Sequence, residues 1–172
     1  MSMTAEDVIR ALALVPHSGE GGFFRETYRS GLQVPRAALP EGYEGDRHAS
    51  TAIYYLLTPD TFSAMHRVRG DEVFHFYAGD PVEMLQLWPD GHAALVVIGA
   101  DIARGMSPQV VVPGGVWQGA RLVDGGHFAL LGTTMSPGFA LADFELADRA
   151  ELVRSFPEWA SMVSALTMET AR

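Results

Sequence analysis

A histidine, a glutamate and a glycine near the middle of the chain have the types and spacing of a polar site inside a small barrel. Glu72 follows His66 by six residues, and Gly79 lies seven residues further on. Neutral imidazole binds metals and takes up protons near pH 7, and a carboxylate can do the same or orient a hydroxyl group. The spacing suits two consecutive strands that direct both side chains into one cavity. Since a buried carboxylate needs a partner, we predict that His66 and Glu72 form a catalytic pair.

A second segment, far along the chain, could close the same cavity. Residues 113–118 read Pro-Gly-Gly-Val-Trp-Gln, and the amide of Gln118 can both donate and accept hydrogen bonds. We expect Gln118 to orient a ligand; the alternative is a strand residue that faces solvent. Gln118 could also join His66 and Glu72 around a divalent transition metal, although such sites usually have three or four His or carboxylate ligands.

Two strand segments supply further candidates. Arg25 could bind a carboxylate or phosphate, with Glu26 beside it; the alternative is an ion pair at a sheet edge or a dimer interface. Neighbouring side chains alternate along a strand, so one of Tyr54 and Tyr55 should enter the cavity, unless both only pack in the core. We predict a catalytic role for Tyr54 and ligand binding by Arg25, Glu26 and Tyr55.

Short strands separated by turn residues must position these groups. A β-barrel is predicted over residues 22–146, because short β-branched and aromatic segments alternate there with Gly and Pro. Residues 30–49 are polar, contain several Gly and Pro residues, and are predicted to form a long loop. The predicted strands are 23–28, 51–57, 62–68, 73–77, 82–87, 93–98, 109–112, 116–123 and 128–134.

Helices are predicted at both ends of the chain. Residues 1–16 form the N-terminal one, with Thr4 as its cap, and Pro16 ends it. Residues 148–168 form the C-terminal helices, which begin at Asp148. We therefore expect one mainly β domain over residues 1–172.

Composition narrows the partners and the compartment. Hydrophobic residues make up 48% of the chain and charged residues 19%, which is typical of a folded protein. The net charge of −9 argues against nucleic acid and anionic membrane surfaces, since both require a basic face. No apolar run approaches the roughly 20 residues that cross a bilayer. Cysteine is absent, which fits a cytoplasmic location and removes thiolate ligands.

Several segments resemble the cupin superfamily. His66, Glu72 and Gly79 match its first motif, while Val68 and Gln118 stand where cupins have two further histidine ligands. A narrower resemblance, to the uncharacterised cupin-5 or DUF985 family, is carried by residues 20–30, 50–57, 112–118 and 137–139. The resemblance implies a double-stranded β-helix or jelly-roll barrel, related in fold to the dTDP-sugar 3,5-epimerases. It also implies a homodimer.

Three functions fit these residues. We expect an internal pocket for a small polar ligand, carbohydrate-like or carboxylated, in an isomerase or epimerase whose His66 removes a proton that a tyrosine returns. The first alternative is a binding or sensing module without turnover. The second is a metal-dependent cupin enzyme with a divalent transition metal.

Overall fold

The N-terminal helix is shorter than its sequence predicts. A computed structural model describes residues 3–168, and its first helix, α1, spans Ala5–Leu12. Thr4 caps it as predicted: its hydroxyl accepts from the Asp7 backbone N–H, and the Asp7 carboxylate accepts from the Thr4 N–H. The helix ends early because Ala13 adopts a left-handed conformation, with φ of 50°. Pro16 therefore lies in a strand and does not end the helix.

Thirteen strands follow in the described residues, and most belong to two sheets. In chain order they are β1 (Val15–Pro16), β2 (Phe23–Arg29), β3 (Gln33–Val34), β4 (Arg47–His48), β5 (Thr51–Leu57), β6 (Phe62–Val68), β7 (Asp71–Gly79), β8 (Val82–Leu87), β9 (Ala93–Ile98), β10 (Gln109–Val112), β11 (Trp117–Leu122), β12 (Ala129–Ser136) and β13 (Phe144–Leu146). One sheet has the order β1-β2-β5-β12-β7-β10, and the other β13-β6-β11-β8-β9. Neighbouring strands pair antiparallel throughout. This mainly β architecture confirms the predicted jelly roll.

The main core lies between the two sheets, where apolar side chains of both inner faces meet. Its fully buried members include Tyr55, Leu57, Phe74, Val82, Met84, Ile98, Val112, Ala129 and Leu131. Helix α1 covers part of the outer face of the six-stranded sheet through Val8, which packs with Leu56. Burial on both faces keeps the strands fixed, so they can hold polar groups at defined positions.

The C-terminal helices cover the other sheet. They are α2 (Arg149–Ser155) and α3 (Ala160–Ala165), and a 3₁₀ turn at Pro157–Trp159 joins them. Asp148 caps α2 as predicted, since its side chain accepts from the Glu151 N–H at 2.8 Å. Leu152, Phe156, Val163 and Leu166 pack against that sheet's outer face. Within residues 3–168, every helix is too short or too polar for a bilayer crossing.

Predicted strand bounds agree closely, and the strands that were not predicted are short, like β1 described above. The bounds 51–57, 62–68, 82–87, 93–98 and 109–112 are confirmed. The predicted loop at 30–49 contains the paired strands β3 and β4, which are only two residues each. Strand β13 was not predicted; it has three residues and is held by edge pairing with β6.

Candidate functional site

A cavity of about 260 Å³ opens between the sheets at one end of the barrel. Strands β2, β5, β7 and β12 form one wall, β6 forms the opposite wall, and the turn before β2 reaches in from the side. The side chains that line it are mixed, with acids and histidines among aromatic and aliphatic groups. They are His17, Glu20, Phe24, Glu26, Arg29, Thr51, Ala52, Ile53, His66, Val68, Glu72, Thr133, Met135, Phe139 and Phe144.

His66 is buried on β6, and its ring is held in one orientation. Its Nδ1 lies 2.7 Å from the Ala64 carbonyl oxygen. Since a carbonyl only accepts, Nδ1 carries the hydrogen, and Nε2 of the neutral ring has a free lone pair. Phe144 stacks on the imidazole, with ring centroids 5.1 Å apart. The histidine is therefore fixed with a proton acceptor at the cavity.

A β-bulge in β6 builds this arrangement. Pairing with β11 advances from Ser63 opposite Ala120 to His66 opposite Gln118, so β6 contains one extra residue. The bulge withdraws Ala64 from the ladder, and its N–H donates instead to the Glu20 carbonyl at 2.8 Å. Ala64 thus binds His66 through its carbonyl and the turn before β2 through its amide.

Glu20 enters the cavity from that turn. Its Oε1 accepts from the Ser63 hydroxyl, and its Oε2 lies 3.9 Å from His66 Nε2. Gly21 and Gly22 have φ of 97° and 68°, a conformation that glycine favours, and they return the chain into β2 immediately after Glu20. A Cβ on Gly21 would collide with the Phe62 carbonyl. The two glycines therefore place the Glu20 carboxylate beside the imidazole.

His17 belongs to the same turn and also lines the cavity. Its Nδ1 accepts from the Glu20 backbone N–H at 2.8 Å, so Nε2 of the neutral ring is a donor. Its ring packs edge-on against Phe24, with centroids 4.6 Å apart. Sequence reasoning missed both His17 and Glu20, because no regular spacing links the turn to His66. The available signal was the acid directly before the Gly-Gly pair.

Glu72 and Gln118 meet at the inner end of the cavity. Gln118 Nε2 donates to Glu72 Oε2 at 2.7 Å, and both side chains are buried. Burial raises the pKa of the Glu72 carboxyl, and the nearby Glu20 carboxylate raises it further; His66 and hydrogen bonds from Thr133 and Gln118 lower it by less. This balance increases the protonated fraction of Glu72.

The side chain of Gln118 contacts the site through Glu72. It is absent from the cavity lining and opposes His66 across the β6–β11 pairing. Its Oε1 is buried and has no hydrogen-bond partner among residues 3–168, which costs about 1–3 kcal/mol. The predicted convergence of His66, Glu72 and Gln118 is thus present in space, but Gln118 contacts Glu72 and does not face the cavity.

Glu26 and Arg29 lie at the mouth. Arg29 Nε donates to Glu26 Oε1 at 2.9 Å, and this hydrogen bond raises the pKa of Arg29. A bulge in β2 at Thr27 places Arg29 on the cavity side, where simple alternation from Phe24 and Glu26 would place Tyr28. Tyr28 is exposed to solvent.

Besides Gln118, three more predicted site residues do not line the cavity: Arg25, Tyr54 and Tyr55. Tyr54 faces the outer side of its sheet, in edge contact with Tyr77, and the Arg25 guanidinium lies 5.6 Å from its ring centre. Alternation along β5 directs Tyr55 inward instead, where its hydroxyl donates to the Gly21 carbonyl at 2.8 Å. Burial raises the pKa of Tyr55 well above its usual value, with Glu20 adding to the effect. Tyr55 therefore stays neutral and braces the turn that holds Glu20.

The donor set does not fit the metal that the cupin motif implies. Val68 offers no ligand atom, and Gln118 directs its amide nitrogen at Glu72. Within residues 3–168, no group of three or more His, Asp or Glu side chains is arranged to hold a metal ion. Of the four positions that carry ligands in the cupin motifs, two have strong donors, His66 and Glu72, which is fewer than the three or four usual for Zn, Fe or Mn.

The remaining groups suit acid–base chemistry. His66 Nε2 accepts a proton, and a hydroxyl oxygen can lie about 2.8 Å from both Nε2 and Glu20 Oε2, since those atoms are 3.9 Å apart. Glu72, with its raised pKa, supplies a carboxyl proton nearby. Phenylalanine side chains form part of the walls around these groups.

Two antiparallel sheets packed face to face, with a polar cavity at one end, define a cupin-type barrel. More narrowly, the chain belongs to the family described as "Cupin superfamily (DUF985)", whose model matches residues 6–147. This confirms the resemblance that the sequence motifs indicated.

Relatives of the chain occur in distant organisms. A hypothetical protein from Leishmania major has 34% identity and a TM-score of 0.88, with 97% of this chain and 100% of that one covered. Protein SO0799 from Shewanella oneidensis has 32% identity and a TM-score of 0.85, covering 98% and 100%. The uncharacterized yeast protein YML079W, from Saccharomyces cerevisiae, is 32% identical over 148 residues, or 81% of this chain and 72% of its own length. These names state no activity, so family membership fixes the fold and leaves the function open.

Proposed function

We propose that the cavity binds a small hydroxyl-bearing molecule and that His66 moves a proton on it, as in an isomerase or epimerase. One observation carries the proposal: the Nδ1–H of His66 is bound to the Ala64 carbonyl, so a buried lone pair on Nε2 faces a cavity that is lined by three glutamates, Glu20, Glu26 and Glu72. A general base fixed in this way contributes about 10²–10⁴-fold to a rate.

The proposed reaction needs no group beyond the chain's own side chains and solvent water. His66 Nε2 removes a proton from a carbon next to a carbonyl, and the C–H electron pair becomes a carbon–carbon double bond. The carbonyl oxygen gains charge and takes the proton of the Glu72 carboxyl. Return of the His66 proton to the former carbonyl carbon gives an isomer, because the hydroxyl on the first carbon becomes the new carbonyl and gives its proton to the Glu72 carboxylate. For an epimer, the enol oxygen returns its proton to Glu72, solvent water donates a proton to the opposite face of the first carbon, and the resulting hydroxide takes the proton held by His66. Glu20 stabilises the imidazolium formed in between.

Incubation in D₂O with a metabolite pool tests the proposal. We expect the wild type to introduce one solvent deuterium into a small hydroxy-carbonyl compound, as detected by mass spectrometry. His66→Ala should abolish the exchange. His75→Ala is the matched control, since His75 lies on the outer face of β7, with Nε2 3.2 Å from the Thr134 hydroxyl. No deuterium in any compound, or equal exchange by wild type and His66→Ala, would overturn the catalytic proposal.

Binding or sensing without turnover is the second candidate. It is favoured by the absence of any tyrosine hydroxyl from the cavity lining of residues 3–168, which removes the acid expected from the Tyr54–Tyr55 pair. In that case His66→Ala lowers the affinity for a ligand that is never consumed. Equilibrium binding, measured beside the exchange assay, separates the two roles.

We also propose a homodimer. Large side chains are exposed on the outer face of the six-stranded sheet, among them Tyr77 and Val111, and β10 is an edge strand of that sheet. Pairing across a two-fold axis would cover such a face and edge. Sedimentation equilibrium should give twice the 18.6 kDa chain mass, and a species of 18.6 kDa alone would contradict this assembly.

A further inference from the structure

Charge is distributed unevenly along the cavity. Glu20 and Glu72 lie in its interior, whereas Arg29 is the one arginine or lysine that lines it within the described residues. That guanidinium is at the mouth, with 37% of its side chain exposed, and Glu26 already neutralises it. The interior therefore carries acidic groups without a matching fixed cation.

Hydrogen-bonding roles point in the same direction. The Glu20 carboxylate accepts, and in its neutral form His66 accepts at Nε2 because its Nδ1–H is bound to Ala64. The Ser63 hydroxyl donates to Glu20 Oε1, which leaves Glu20 Oε2 for a ligand. A ligand must present donors to these groups, and an anionic group would face uncompensated repulsion.

We propose that the cavity selects small polyhydroxylated ligands that are neutral or carry an ammonium group, and rejects those that carry a carboxylate or phosphate. This rests on the proposed function in taking the cavity as the ligand site, and it narrows the ligand class. Phe24, Phe139 and Phe144 line the cavity, and aromatic rings attract an ammonium group. The volume of about 260 Å³ lies just below the roughly 300–1,000 Å³ of drug-sized sites, so it suits a monosaccharide.

Three sugars that share the same ring and differ in charge test the preference: D-glucosamine, D-glucose and D-glucuronate. Calorimetric titration at about 0.15 M salt limits the influence of the chain's overall charge, because the Debye length is then about 8 Å. We expect affinity to decrease in the order given, with glucosamine at least about tenfold tighter than glucuronate. Tighter binding of glucuronate, or no binding of any probe at about 10 mM, would overturn the proposal.

Variants locate the source of the preference. Glu20→Gln keeps the shape and should reduce the glucosamine-to-glucuronate affinity ratio at least about threefold. Glu158→Gln makes the same change in net charge on the exposed surface of the C-terminal 3₁₀ turn and should leave the ratio unchanged. Glu20→Ser removes the same charge with a smaller side chain if Glu20→Gln fails to fold. Equal ratios in the wild type and an interior variant would refute the assignment.

The outcome is separable from that of the proposed reaction. A preference for glucosamine without deuterium exchange would keep the charge selection and remove the catalysis. Exchange into a carboxylated substrate, with glucuronate bound most tightly, would keep the catalysis and remove the charge selection.

Discussion

Replacing Gln118 with methionine should make the stability of the protein more dependent on pH. The substitution keeps the side-chain length and removes the N–H that lies 2.7 Å from Glu72 Oε2. A hydrogen bond to a charged group contributes about 1.5–3 kcal/mol, against about 0.5–1.5 kcal/mol for a neutral pair. The lost bond therefore costs about 1–2 kcal/mol more when Glu72 is ionised than when it is protonated.

The direction follows from the raised pKa of Glu72 in the folded state. Between its unfolded and folded pKa values the native state holds more protons than the unfolded one, so the contribution of Glu72 is present at low pH and is lost as pH rises. Without the Gln118 donor the ionised form is stabilised less, and the loss becomes larger. Removal of the unpaired Gln118 Oε1 stabilises the variant by the same free energy at every pH, so it cannot change how the unfolding free energy depends on pH.

Urea unfolding at about pH 5 and about pH 8 measures this effect. We expect the unfolding free energy of Gln118→Met, relative to the wild type, to fall by about 1–2 kcal/mol between the two pH values. Gln86→Met is the matched control, since Gln86 is buried opposite Gln118 on β8 and its amide donates to Met84 instead. If both variants show the same difference from the wild type at both pH values, the reasoning about Glu72 is wrong.

Two further predictions concern the turn and the missing metal ligands. Gly21→Ala should lower the unfolding free energy by about 1–3 kcal/mol in urea titration, because φ is 97° and a Cβ would meet the Phe62 carbonyl. Gly31→Ala is the control and should change the unfolding free energy little, because the space around Gly31 is open. Equal losses in the two variants would contradict the account. The double variant Val68→His/Gln118→His should bind Co²⁺ with tetrahedral visible absorption that the wild type lacks, because both changes add imidazoles near His66 and Glu72. Equal Co²⁺ absorption by the wild type would show that its present donors suffice.

The strands could be predicted because their signals are local. Alternating β-branched and aromatic residues between Gly and Pro gave β5, β6, β8, β9 and β10 their bounds. Thr4 and Asp148 cap helices through hydrogen bonds to residues only three positions further along the chain, so the sequence pattern alone predicts them. The spacing of His66 and Glu72 likewise reflects two consecutive strands, which lie in opposite sheets, and both side chains line the cavity.

The rest of the site depends on contacts that no local pattern contains. The bulge in β6 frees the Ala64 N–H, which then binds the Glu20 turn; neither event has a signature near His66. Alternation states that Tyr54 and Tyr55 face opposite sides, but only packing decides that Tyr55 is inside. Because of the bulge at Thr27, Arg29 lies at the mouth of the cavity, where alternation along the strand predicts Tyr28.

Carbon-13 NMR of labelled histidine side chains tests most directly whether the cavity around His66 is the ligand site. The chain has six histidines, and His66→Gln identifies the His66 signal by its loss. During titration with D-glucosamine, we predict that the His66 signal shifts together with that of His17, while that of outward-facing His75 stays in place. A His66 signal that remains unchanged at about 10 mM ligand would contradict the account.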